Sequence, residues 1–192
     1  ENDPNGNPNS YMKANRFKSN GSILWEKLYD AFPFQVSVSS LCVFPDGGFA
    51  VSVQVLAGTA PGYSLVDRLY RFSPDGDRLW TSDDTQVSAG ALQFIFAGSD
   101  GAVLTAGTVT LTKPDGSYDN NDIRLLRFEK DGTLSKKSTA GTPLNDTMMN
   151  AAYAEGTGLI FTWRSDRKEE IVVDGVSYNQ VSKVDCHDEN LD

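Results

Sequence analysis

The chain has 192 residues and a mass of 20.9 kDa, with 39% apolar residues including 10 Phe, 7 Tyr and 3 Trp. That is enough for one domain with an aromatic-rich core and too aromatic for a disordered chain. Seventeen Lys and Arg against 26 Asp and Glu leave a net charge of −9, which argues against non-specific binding to nucleic acid or to an anionic membrane, since both need a positive field. One His and two Cys are too few for a Cys/His zinc site, and no apolar run approaches the ~18–20 residues of a membrane span.

Residues 1–10 carry no apolar side chain and are expected to form a flexible tail ahead of a folded domain over 11–192. No charged-then-apolar leader is present. A polar, Asn-rich start suits a mature secreted protein or lipoprotein, so the expected location is outside the cell or in the cell envelope, with a signal or lipid anchor already removed. A cytosolic chain is the alternative.

From residue 11 onward, alternating apolar runs are broken by Asp-Gly or Asn-Gly, the strongest short-range signal for a β-hairpin. Each repeat is read as four strands, A to D. The first repeat has only C (near 11–18) and D (near 22–29). The second has A near 38–45, B near 48–56, C near 64–73 and D near 77–82. The third has A near 91–98, B near 102–111, C near 122–130 and D near 133–138. The fourth has A near 148–155, B near 158–164 and C near 179–185. No segment shows a helical apolar period, so little or no helix is expected.

Two motifs keep one period. Arg16-Phe17-Lys18-Ser19-Asn20-Gly21-Ser22-Ile23-Leu24-Trp25 matches Arg71-Phe72-Ser73-Pro74-Asp75-Gly76-Asp77-Arg78-Leu79-Trp80. A third copy starts at Arg127, with the Trp lost at Ser135, and a worn fourth at Lys183, with Asp188 in place of the turn Gly. The starts lie 55, 56 and 56 residues apart. Between them, Phe44-Pro45-Asp46-Gly47-Gly48-Phe49 matches Gly98-Ser99-Asp100-Gly101-Ala102-Val103 and Glu155-Gly156-Thr157-Gly158-Leu159-Ile160.

Four antiparallel strands at this period predict an all-β chain of β-propeller-type blades. The repeats cover about 11–30, 36–83, 90–139 and 147–192. A lone blade cannot cover both its faces, so neighbours must stack on it. Val51, Val53 and Val55 suit inner strands, and the Phe of Arg-Phe and the Trp of Leu-Trp suit the layer between blades, where one ring is worth ~2–3 kcal/mol. Thirteen strands make about three and a quarter blades, whereas closed propellers have ~4–8. The expected explanation is an incomplete propeller. Pairing with a second copy through open edges, or a four-bladed ring patched by the N-terminal tail, are the alternatives.

The stretch Arg71 to Trp80, followed by Asp100 to Gly107, resembles the repeats of bacterial secreted and cell-envelope β-propeller proteins, which run Lys/Arg-apolar-x-x-Asp-Gly-x-x-x-Trp and then Asp-Gly-Gly-apolar-x-apolar-x-Gly. The resemblance spans roughly 11–192. It implies architecture and an envelope or extracellular setting, and it carries no catalytic motif.

The B–C links share a Gly-then-Tyr pattern that would set Tyr63, Tyr118 and Tyr178 in an arc on one face, a surface suited to a protein or a glycan. The plainer reading packs each ring on its own hairpin. The run Asp115, Asp119, Asn120, Asn121, Asp122 is rich in oxygen ligands but lacks the spacing of a calcium loop, so a solvated turn is expected and no metal or cofactor is assigned. Arg16, Arg71, Arg127 and Lys183 share one phase and could ring an anion; pairing with carboxylates such as Asp67 or Asp122 is the expected outcome. His187 beside Cys186 and Asp185 is no catalytic set, because neighbours on a strand face opposite ways. Cys42 and Cys186 fall on distant strands and are expected to be free thiols. Asn20-Gly21-Ser22 and Asn145-Asp146-Thr147 match the glycosylation acceptor pattern.

The resulting expectation is a non-enzymatic binding module for a protein or glycan, with no nucleic-acid partner and no membrane insertion. The alternatives are a glycan-acting enzyme using paired carboxylates and a purely structural spacer. Fold alone does not choose among them.

Overall fold

The computed structural model describes residues 10–32, 36–57, 64–82, 87, 89–141, 145–154, 159–166, 171–173, 176–178, 181–188 and 191. Among them there is no helix, and the strands form antiparallel sheets. Unit 1 is β1 (Ser10–Phe17) paired with β2 (Ile23–Phe32). Unit 2 is the sheet of β3 (Val36–Val43), β4 (Phe49–Ala57), β5 (Ser64–Phe72) and β6 (Arg78–Thr81) in sequence order. Unit 3 repeats it with β7 (Phe94–Ala97), β8 (Val103–Thr112), β9 (Tyr118–Phe128) and β10 (Leu134–Ala140). Unit 4 has β11 (Asp146–Ala154), β12 (Leu159–Asp166) and β15 (Val181–Asp188). A hairpin of β13 (Ile171–Val173) and β14 (Val176–Tyr178) is inserted between β12 and β15 and pairs with no other strand among the described residues. The expected grouping of two, four, four and three strands is therefore present, and the inserted hairpin is additional.

The hairpins share one turn. At Lys18, Phe44, Ser73, Gly98, Lys113 and Glu129 the carbonyl accepts from the N–H three residues on, and the N–H donates to the carbonyl four residues on. The glycine at the third step has a φ of 79–90°, and no Asp or Asn in these turns has positive φ. This is a three-residue loop closed by a glycine bulge, not the two-residue turn that Asp-Gly most often signals. The Asp or Asn before the glycine has a separate task. Asn20, Asp46, Asp100, Asp115 and Asp131 each accept the backbone N–H two residues on, at 2.8–3.0 Å.

Register defines equivalent positions. Phe49 stands opposite Phe72, and Val103 opposite Phe128. Arg16 stands opposite Trp25, Arg71 opposite Trp80, and Arg127 opposite Lys136. Lys136 therefore holds the Trp position. Ser135, read from the sequence as the lost Trp, is instead the extra residue of a bulge, like Leu24 and Leu79. The fourth copy also shifts. Phe161 stands opposite Cys186, and the N–H of Leu191 donates to Asp188. Cys186, not Lys183, holds the Arg position, and Leu191, not Asp188, replaces the turn glycine, with φ 64°. The third spacing is thus 59 rather than 56.

Adjacent sheets pack face to face through three clusters. Met12, Val51, Val53, Tyr70 and Phe72 join units 1 and 2. Phe44, Leu69, Ile95, Leu126 and Phe128 join units 2 and 3. Leu104, Ile123, Leu125, Met148 and Ile160 join units 3 and 4. The rings of Phe72 and Phe128 are fully buried, as the Arg-Phe motif suggested, but Phe17 of the first copy is exposed, contrary to that expectation. Each burial contributes ~2–3 kcal/mol.

The strand expected over 91–98 is shorter, Phe94–Ala97. The buried Asp67 of unit 2 explains this. Its Oδ2 accepts the N–H of Gly90 at 2.7 Å and of Leu92 at 3.3 Å, which fixes the preceding residues as a turn across the sheet interface.

Candidate functional site

Of the expected tyrosine arc, the structure describes one side chain. Tyr118, at the start of β9, is half exposed and its hydroxyl donates to Asn145 Oδ1. Asn145 also accepts the Asn121 N–H at 3.0 Å, so a residue just ahead of unit 4 anchors both the strand and the ring. Tyr63 lies outside the described residues. Tyr178 lies on β14, with its side chain outside the description.

The oxygen-rich run does not converge. Asp115 accepts the N–H of Ser117 at 2.9 Å and its hydroxyl at 2.6 Å, and those bonds hold its carboxyl below the usual range. The Asn120 amide donates to Asp122, while Asn121 on the opposite face of β9 accepts from Thr110. Among the described residues no three His, Cys, Asp or Glu side chains are grouped to hold a metal ion.

The motif cations are divided by their surroundings. Arg71 is buried, lies over the Phe44 ring at 3.6 Å from its centroid, donates to the Phe49 and Phe72 carbonyls and faces Asp46 at 3.5 Å. Burial lowers its pKa, partly opposed by Asp46. A Cβ at Gly48 would meet this guanidinium at 2.5 Å and the Phe72 carbonyl at 2.7 Å. The second glycine of Asp-Gly-Gly thus leaves room for the Phe72 carbonyl and for the guanidinium that donates to it. Arg127, also buried, pairs with Asp100 and Glu129. Burial would raise the Asp100 carboxyl, but the Ala102 N–H and Arg127 outweigh it and hold it low. Arg16 reaches the next unit, donating to the Pro74 carbonyl at 2.6 Å. Arg71 and Arg127 thus pair with carboxylates, as expected, those of the turn residues Asp46 and Asp100, and Arg16 with a turn carbonyl; the Lys183 side chain lies outside the described residues.

His187 and Cys186 occupy the Phe and Arg positions of the repeat on β15. Both cysteines are free. Burial pushes the Cys42 thiol up to about 12, while Cys186 is exposed. Neither acceptor-pattern Asn is idle: Asn20 closes its own turn and Asn145 holds Tyr118.

Two cavities among the described residues bear on function. One of ≈620 Å³ is lined by β3 residues such as Ser40 and Cys42, by β7 residues such as Phe96, and by Tyr153 of β11. The first strands of three successive units thus share it. The other, ≈490 Å³, is an apolar cleft between units 1 and 2, lined by Met12, Trp25, Val38, Leu41, Val43 and Phe49 among others.

One pairing was not foreseen. Asp122 and Asp146 approach each other, since a Cβ at Gly141 would clash with both carboxylates. Asp146 is fully buried and Asp122 nearly so, with Arg124 alongside. Neither lines either cavity. A scan of protein-family models finds no match to the chain, and a search of curated proteins returns no significant relative.

Proposed function

We propose that the chain is a propeller-type array of four-stranded blades, of the kind found in bacterial secreted and cell-envelope repeat proteins, and that it acts by binding a protein or glycan rather than by catalysis. The observation that carries this reading is the cavity shared by β3, β7 and β11. A space bordered by the first strands of successive sheets is what blades fanned about a common axis would leave, and it supports that arrangement. The binding role is supported by how the buried charges are used. Asp67 ties two units, and Arg71 and Arg127 tie strands to turns. Tyr118 instead presents a ring to solvent on a fixed hydroxyl.

The test is binding of the chain to glycan arrays and to panels of extracellular proteins, with Tyr118→Ala alongside. The expected result is binding to one class, weakened about tenfold or more by the substitution. Glycan hydrolysis by the chain, or equal binding by the variant, overturns the reading.

The Asp122–Asp146 pair favours a second reading, a glycan-acting enzyme. That role needs a path for substrate to a carboxylate that is fully enclosed. Hydrolysis abolished by Asp122→Asn would establish it.

A further inference from the structure

Equivalent positions in successive units differ in what covers them. Leu41 and Ile95 are equivalent, each two residues from the A–B turn in register with β4 or β8. Ile95 is 3% exposed under unit 2, but Leu41 is 56% exposed. Beside Leu41, Val38 and Val43 are also exposed. What covers this face elsewhere is the A–B hairpin of the preceding unit. In unit 3 that hairpin, β7–β8, lays Phe94, Phe96, Leu104 and Ala106 against Met148, Ala151 and Tyr153 of unit 4, with the Phe96 and Tyr153 rings 6.1 Å apart.

Unit 1 has no such hairpin among the described residues. β1 pairs with β2 along one edge, and no strand pairs with its other edge. That edge is where β4 joins β5 and β8 joins β9. The cleft of ≈490 Å³ lies between the open edge and the Leu41 face, lined by five consecutive β1 residues, 12–16, and by Val38, Leu41 and Val43. An unpaired strand edge beside an apolar face is a seat for strand addition.

We propose that this cleft is the docking site for a β-hairpin of the chain's own A–B type, added antiparallel to β1. The register follows from units 2 and 3. The residue after the hairpin turn stands opposite Phe17, as Phe49 does to Phe72 and Val103 to Phe128. The next residue stands opposite Arg16, as Leu104 does to Arg127. The inward residues of the added hairpin then cover Leu41 and Val43. This inference rests on the register of the repeat and not on the Tyr118 surface, so either can fail alone.

The probe is a synthetic peptide with the sequence of residues 91–112, added to the full chain. Binding is measured calorimetrically, and amide hydrogen exchange is followed along β1. The expected result is one peptide per chain, slowed exchange at residues 12–16, and binding weakened about tenfold or more in Leu41→Asp or Val43→Asp. Both side chains are exposed, so the folds should survive, and Leu79→Asp serves as an exposed control that leaves binding unchanged. Absence of binding, equal binding to all variants, or protection confined to other strands overturns the proposal. So does protection of residues 12–16 before peptide is added at a dilution where the chain is monomeric, which would mean that residues 1–9 already fill the seat.

Discussion

The indole of Trp80 lies on Gly132 of the next unit, and its Nε1 donates to the Lys130 carbonyl at 2.9 Å. The same relation holds one unit earlier, where Trp25 covers Gly76 and donates to the Pro74 carbonyl at 3.2 Å. Strand D of each unit thus grips the C–D turn of the next. In the third junction both partners change together: Lys136 replaces the Trp and Leu191 replaces the Gly. Leu191 keeps the left-handed backbone at a steric cost of about 1–2 kcal/mol, offset by burial in the cluster between units 3 and 4.

Gly132 carries two constraints, a φ of 90° and an indole 2.9 Å from where a Cβ would stand. Gly116 carries only the first, with φ 81° and nothing within 4 Å. Gly116→Ala should cost about 1 kcal/mol. Gly132→Ala should cost distinctly more, about 2–4 kcal/mol, because the indole must also shift. Urea unfolding of the two variants measures the difference; equal losses would remove the stacking from the account.

Asp67 is buried and accepts two N–H groups across the unit 2–unit 3 interface. Asp67→Ala leaves both donors unmatched and should destabilise by about 2–4 kcal/mol. The loss should be cooperative in thermal unfolding, with faster amide exchange at Gly90 and Leu92. A near-neutral substitution would mean the interface does not depend on this tie.

Thr105 is fully buried, and its hydroxyl has no hydrogen-bond partner among the described residues. The equivalent position in unit 2 is Val51, as the pairing of Val51 with Tyr70 and of Thr105 with Leu126 shows. Thr105→Val should therefore stabilise by about 1 kcal/mol. A lowered melting temperature would point to a partner for the hydroxyl.

Cys42 and Cys186 should separate by reactivity. At pH 8 iodoacetamide should label the exposed Cys186 and leave Cys42 largely unmodified, because burial pushes the Cys42 thiol up to about 12. The stability effect has a definite sign. A thiol whose pKa is higher folded than its unfolded value of 9.0 supports the fold fully below pH 9. That support is lost as pH rises from about 9 toward 12. Replacing Cys42 with Ala should flatten this alkaline limb in a series of denaturant melts from pH 8 to 11. A limb unchanged by the substitution would assign it to other groups.

Much of the fold was legible because each turn is written in local chemistry. Asp100-Gly101 marks its hairpin since the Asp oxygen caps the N–H of Ala102 and the Gly takes positive φ. Where one of those residues is missing, the reading slips. Leu191 carries the turn without glycine, so the fourth motif was placed three residues early. The Trp position needs no structure to be placed: the spacing of nine residues from Arg16 to Trp25 and from Arg71 to Trp80 already points to Lys136, not Ser135, and the register agrees. Which carboxylates the arginines meet was not legible, for another reason. Antiparallel pairing of β4 with β5 and of β8 with β9 sets the turn before β4 or β8 beside the end of the following strand, and so Asp46 beside Arg71 and Asp100 beside Arg127, a long-range pairing that sequence spacing alone does not display. Of the tyrosine pattern only the Tyr118 side chain is described, and its bond to Asn145, 27 residues away, has no local signal in the sequence.

The claim beneath all of this is that successive sheets stack through the same repeated contact. Proton NMR of the chain tests it most directly, by the shifts of the Gly76 and Gly132 α-protons and their cross-relaxation with the indoles. The account predicts ring-current-shifted α-protons in both glycines, each with cross-peaks to its own tryptophan, Trp25 or Trp80. Unshifted α-protons without indole cross-peaks would contradict it.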